Sequence, residues 1–368
     1  MSVYIHGGLR SPIGVLNGQY KHMRPEMLGA QLIDELINRH SILQVDGLFC
    51  GNAVGTGGNI GRLMGLMCNL PNSVPAITVD MQCASALMNI EIAYAHIVSG
   101  IMDSAIAGGI ESSSLQPERV YASGDDRKGT YKVAQFTPQD QSPLAMLKGA
   151  ERTIHKYNVT KEDLYPHIIG SHQRASAALD NPYLQSYIMP ITIDGKRCID
   201  ECIRPTMNEK LLSRMKPLLG ADSITNAGNA CLTHDGAAFV YLSNKKGPFK
   251  IHSVKPWAGN PQFSPEGALE STEGILKRTG LTMDDIDVVE WNEAFAIIDV
   301  LFNKAYPNHI KKYNMLGGAL AYGHPYGCSG AILVLHCMAA LESCGGRYGL
   351  CAIAGAGGTG TALIMERM

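Results

Sequence analysis

Two stretches decide the fold: SVPAITVDMQCASALMNIEIAYAHIVSG, residues 73–100, and GGALAYGHPYGCSGAILVLHCMAALESCGG, residues 317–346. Each closes a short loop with a chemically active side chain, Cys83 in one and His324 in the other, and then enters an apolar run of helical period. Each run leads into a short apolar strand ending in glycines, DSAIAGG from Asp103 and GLCAIAGAGG from Gly349. Working outward, DGLFCGNAVG (46–55) matches DVVEWNEAFA (287–296) and sets Asn52 against Asn292. Helical stretches at Pro25–Asn38 and Pro265–Thr279 take equivalent places, as do short strands near Val3–His6 and Phe249–His252. The landmarks recur at an offset of about 240 residues, the signature of an internal duplication.

Strands alternating with helices imply parallel or mixed sheets covered by helices. Two such halves, expected at 1–246 and 247–368, pack as layered α/β units, with Cys83 and His324 facing each other across a pseudo-twofold axis. Residues from about 114 to 205 break the pattern with DDRKG, several tyrosines and polar helices, so they read as an inserted lid or loop domain.

Composition narrows the function. The chain has 368 residues, longer than one ordinary core, and its 45% apolar content excludes disorder. Only 17% of residues are charged, below the typical share of about 25%, which points to surface buried between layers or subunits and hence to an oligomer. A net charge of −2 without a basic block argues against nucleic acid. MSVYIHGGLRSP reads as a strand and a turn, and no apolar run approaches about 18 residues, so a soluble cytoplasmic protein without membrane contact is expected. Ten scattered cysteines do not form a disulfide framework, and Cys198 and Cys202 make a lone C-x3-C pair, so no metal is expected.

Cys83 stands at a helix N-terminus, where free amides and the helix dipole favour a thiolate and can hold an oxyanion. His324 is presented from a glycine-rich loop fixed by Pro325. Asn292 follows an apolar strand, where a carboxamide can hold a water or donate to a developing oxyanion. Asn52 holds the matching place without an adjacent Glu-Ala-Phe and is assigned a structural role. GAGGTG (355–360) has the spacing of a dinucleotide loop but ends a strand near the C-terminus with no acidic residue about 20 positions on, which excludes that use.

Taken in order, DMQCASALMNI (80–90), AGGIESSS (107–114), AGNACLTHDGAA (227–238), NEAFA (292–296), GGALAYGHPYGCSG (317–330) and the terminal glycine loop resemble the thiolase family over essentially the whole chain. The resemblance implies the five-layer αβαβα thiolase fold, an acyl-coenzyme A substrate with no separate cofactor, a homodimer or homotetramer, and a place in fatty acid metabolism. It makes Cys83 the acyl carrier and His324 its activator. It forms one oxyanion hole from His324 and a water on Asn292, and another from the amides of Cys83 and Ala356. Ala227, Cys231 and Gly323 would lie against the substrate.

Three departures stand out. Condensing thiolases carry a second cysteine at the start of the last glycine loop, where this chain has Ala354; Cys351 lies three residues earlier, and Cys328 four after His324. Cys231 and its successor replace the Ser-Gly that meets the pantetheine arm. In the lid, AMLKGAERTI (145–154) lacks the usual His or Met pattern before T-A-E-N. Arg127, Lys128 and Lys132 are available to nucleotide phosphates or to solvent. The expected activity is that of an acetyl-CoA C-acetyltransferase or 3-ketoacyl-CoA thiolase. Its alternatives are an acyltransferase to another acceptor, which needs no second cysteine, and a non-catalytic thiolase-like subunit. A β-ketoacyl synthase is disfavoured, since NEAF and GHP stand where it would need a second histidine or asparagine.

Overall fold

The computed structural model describes residues 1–138, 140–231 and 233–368. In chain order the principal strands are β1 (Tyr4–Arg10), β2 (Leu48–Gly51), β3 (Ala76–Val79), β4 (Ser104–Ser112), β5 (His234–Ser243), β6 (Phe249–Ala258), β7 (Val288–Trp291), β8 (Tyr348–Gly355) and β9 (Thr359–Arg367). The main helices are α1 (Pro25–Arg39), α2 (Ile60–Met67), α3 (Ser85–Val98), α4 (Ala145–Lys156), α5 (Lys161–Ala177), α6 (Gly267–Thr279), α7 (Ala296–Ala305) and α8 (Ser329–Cys344).

The strands hydrogen-bond in the order β7-β8-β9-β6-β1-β5-β4-β2-β3. Each half has the same internal order. β1-β5-β4-β2-β3 is mirrored by β6-β9-β8-β7, with a lone parallel bridge from Val289 to Tyr313 in the fifth place. β1 and β6 join the halves through two residue pairs, Tyr4–Lys250 and Ile5–Phe249.

Three apolar clusters fill the spaces between five layers. α1 and α2 cover the outer face of the first half, with Leu32 and Met64 against Ile106 and Phe239. α6 and α7 cover the outer face of the second, with Ile275 and Ile298 against Trp291 and Ile364. Between the sheets lie α3 and α8, with Ile90 and Leu335 against Val240 and Leu363. α8 is buried at every position from Ser329 to Leu341, as an apolar circumference requires. A side chain at Gly330 would run into the backbone of Leu87, so glycine there lets α8 cross α3 closely and bring their N-termini together. The two layered α/β halves expected from the repeat are thus present.

Several boundaries differ from the sequence reading. β1 runs on to Arg10. α6 starts at Gly267 because Pro261–Glu266 is a 3-10 segment. The chain leaves the sheet after Ser112 and returns only at His234, so the inserted region extends beyond 205, through a short helix at Glu209–Leu212. Among the described residues, no helix is long and apolar enough to cross a membrane.

Candidate active site

The turn before α3 holds Cys83 under tension. Gln82 has φ +52°, a left-handed conformation that residues other than glycine adopt at a cost. It is clamped there: Asp80 Oδ1 accepts from the Gln82 amide at 2.8 Å, and Ser85 Oγ donates to the Gln82 carbonyl at 2.6 Å while accepting from the Met81 amide at 2.9 Å. The result is a single 3-10 turn, Gln82–Ala84, that places the buried Cys83 directly ahead of α3.

His324 is fixed from several sides. Its ring Nδ1 lies 2.6 Å from Ser329 Oγ, and that hydroxyl is within 2.8 Å of the Pro325 carbonyl. Ser329 donates to the carbonyl and accepts from Nδ1–H, which assigns the ring proton to Nδ1 and leaves Nε2 basic. Asn292 Nδ2 lies 3.3 Å from Nε2, and Tyr326 meets the ring edge to face at 5.0 Å. The His324 amide donates to His234 Nδ1 at 3.1 Å. Gly323, at φ +107°, lets the loop pass that imidazole, since a Cβ there would come within 2.6 Å of His234 Cδ2.

Glu111, at the end of β4, ties these loops together, and sequence reading assigned it no role. It is fully buried and accepts from Asn52 Nδ2 at 2.9 Å and from the amides of Ala53, Val54 and Gly327 at 3.0, 3.2 and 2.9 Å. Gly327 belongs to the GHPYG loop of the second half, so one carboxylate locks that loop to the first half. A carboxylate in a buried AGGIE strand was the available signal; its distant partners were not visible. Asn52 keeps the structural role expected of it. On the other side, Glu293 accepts from Asn314 Nδ2 at 2.8 Å and Ser171 Oγ at 2.6 Å, anchoring α5 of the lid to the NEAFA turn.

These elements wall a cleft of about 260 Å³ lined by Cys83, His324, Ala356, Cys231, Tyr326 and Phe295, with Phe136, Met146 and Leu147 from the lid side. The structure therefore brings Cys83, His324 and Ala356 together, with Asn292 against His324. Cys231 borders both this cleft and a neighbouring cavity that contains Ala227. Gly323 lines a small inner cavity beside Asn292 rather than the cleft wall. Cys328 and Cys351 face away: their thiols meet the Pro325 and Leu333 carbonyls inside the core. Ala354 is buried against Gly267. In the lid, Arg127 is held by Asp125 and stacks over Tyr121, and Lys128 donates to the Ser123 carbonyl at 3.2 Å. Lys132 lines the cleft.

Burial governs the electrostatics. It pushes the Cys83 thiol up to about 12, helped by the nearby Glu111 and opposed by the residue's own amide. It pushes His324 down to about 3, with His234 adding to the effect. Cys83 is consequently a thiol and His324 a neutral base at pH 7, a pairing in which proton transfer must accompany attack.

Residues 3–246 match the thiolase N-terminal domain and residues 249–367 the thiolase C-terminal domain. The chain is 32% identical to the steroid 3-ketoacyl-CoA thiolase FadA6 of Mycobacterium tuberculosis, over 99% of this chain and 94% of that protein. It superposes on the crystal structure of the Bacillus anthracis acetyl-CoA acetyltransferase with a TM-score of 0.92 at 25% identity, covering 100% of this chain and 99% of the other.

Proposed function

Because the chain belongs to the thiolase family, we propose that it transfers acyl groups between coenzyme A thioesters through a covalent intermediate on Cys83. The enzyme is an acyl-CoA acyltransferase of thiolase type. The observation that carries the mechanism is the convergence of Cys83, a basic His324 Nε2 and Ala356 on one cleft. In this reading Nε2 takes the Cys83 proton as sulfur attacks the acyl carbonyl. Asn292 and His324 receive one developing oxyanion, and the amides of Cys83 and Ala356 the other. Free coenzyme A or a second thioester then removes the acyl group. Ala354 favours one competing reading, acyl transfer without carbon–carbon chemistry.

Intact-protein mass after mixing with acetoacetyl-CoA, with no free coenzyme A and with Cys83→Ala as control, separates the readings. A Cys83-dependent gain of about 42 Da marks cleavage at the 3-keto carbon, whereas about 84 Da marks attack at the thioester. Absence of any adduct on the wild-type protein refutes the Cys83 mechanism.

The same reading makes the enzyme a cytoplasmic homodimer. All ten cysteines are unpaired, which suits a reducing compartment. β3 ends the sheet with an open edge, and Leu63, Leu66, Met67 and Ile77 are exposed on β3 and the adjoining α2. Light scattering should give twice the monomer mass for the wild type and the monomer mass for Ile77→Lys/Leu66→Lys. A monomeric wild type would exclude the assembly.

A further inference from the structure

Cleaving a 3-ketoacyl thioester leaves the bonding electrons on carbon as an enolate, and that carbon must receive a proton. Cys83 is occupied as the acyl carrier. His324 is held by Ser329, Asn292 and Tyr326, and its proton returns to Cys83 sulfur when the acyl group departs. Ala354 has no proton to give, and the thiols of Cys328 and Cys351 are turned into the core. Cys83 and Cys231 are the cysteines lining the cleft among the described residues.

We infer that Cys231 is the acid–base group for carbon–carbon cleavage and formation in this enzyme, acting from the wall shared by the cleft and the adjoining cavity. The inference rests on the acyl-enzyme reading above. Two hydrogen bonds and the burial of the thiol support it. The Cys231 amide donates to the Ala294 carbonyl at 2.8 Å, which fixes its backbone to the NEAFA turn that carries Asn292. Its Sγ donates to the Ala319 carbonyl at 2.9 Å, so the sulfur holds its proton at rest. Burial keeps it protonated, and the nearby Glu293 acts in the same direction.

The step balances. As the carbon–carbon bond breaks, its electron pair stays with the enolate carbon. The Cys231 S–H bond breaks heterolytically, giving its proton to that carbon and keeping its electrons on sulfur. The Cys231 thiolate takes the proton of the incoming coenzyme A thiol, whose sulfur attacks the Cys83 thioester. Cys83 leaves and recovers its proton from His324. Condensation is the reverse.

Two assays on one preparation test this. Exchange of labelled coenzyme A into acetyl-CoA forms no enolate and leaves Cys231 a thiol, so His324 alone passes the proton between the Cys83 and coenzyme A sulfurs, whereas thiolysis of acetoacetyl-CoA also needs the carbon acid. Cys231→Ala and Cys231→Ser should each lower thiolysis about 10²- to 10⁴-fold while exchange stays within a few-fold of wild type. Serine preserves size and the hydrogen bond to Ala319, so recovery of thiolysis by Cys231→Ser would show a packing role and overturn the inference. So would parallel loss of both activities, unchanged thiolysis, or a thiolysis-selective loss in Tyr326→Phe instead. Adding Ala354→Cys to Cys231→Ala should restore part of the thiolysis. Wild-type exchange without thiolysis would overturn the role of Cys231 and leave the acyltransferase intact; absence of both would remove the underlying reading as well.

Discussion

Replacing His324 with alanine is expected to slow acylation of Cys83 by about 10⁴-fold or more at pH 7, with the residual rate rising about tenfold per pH unit into the alkaline range. With the thiol pushed up to about 12, the ionised fraction without a base is on the order of 10⁻⁵ at pH 7. Each added pH unit multiplies that fraction by about ten. The wild type should not show this slope. His324, pushed down to about 3, keeps its basic Nε2 throughout the neutral range, so activity should not fall on the acid side near 6.5 as it would for an ordinary histidine. Rapid-quench measurement of the acyl-enzyme against pH checks both statements. A variant rate that is flat with pH, or within tenfold of wild type, would exclude His324 as the base. Any wild-type inflection near pH 7 is expected from Glu111, which burial pushes up to about 7, and should vanish in Glu111→Gln.

The second large effect falls on stability. Glu111→Ala removes the acceptor shared by four donors, the amides of Ala53, Val54 and Gly327 and Asn52 Nδ2, of which Asn52 keeps the Ile110 carbonyl. At roughly 1–3 kcal/mol for each unsatisfied donor, and allowing for partial relaxation, the loss should be about 3–5 kcal/mol. Urea unfolding at pH 8 would measure it, and a change below about 1 kcal/mol would show that the clamp is incidental. The pH dependence has a definite sign. Folding raises the Glu111 value from 4.5 to about 7, so the folded state holds the proton more tightly. The protonation-linked part of its contribution is therefore complete below 4.5 and is lost as pH rises through about 7, while the hydrogen bonds accepted by the carboxylate remain; Glu111→Gln should remove that decline.

The duplication made most of the architecture legible. Pro25 at the helix N-terminus and a clear apolar period gave α1 nearly to its last turn. Cys83 and His324 could be paired because each precedes the same kind of helix in its half. What sequence could not reveal depends on contacts between distant segments. Gln82 gives no sign of its left-handed turn, which Asp80 and Ser85 impose. Ser329 looks like an ordinary helix-start serine, yet it selects the tautomer of His324. Glu111 meets Gly327 across more than two hundred residues. Gly323, expected against the substrate, lets its loop pass the His234 ring. Cys231 read as a departure from a pantetheine contact, and its sulfur gains meaning only beside Cys83 in a shared cleft.

The central layer also sets an order of events during synthesis. α3 is complete by Val98, whereas α8, which covers its inner face, begins at Ser329. At about 5–20 residues per second, translation leaves that apolar surface of the nascent chain without its partner for roughly 10–50 s. Until α8 emerges, the first half has Cys83 but no imidazole opposite it and no cover for Leu87 or Ile90. The growing chain is therefore catalytically silent and adhesive over the same interval, and one helix–helix docking ends both conditions.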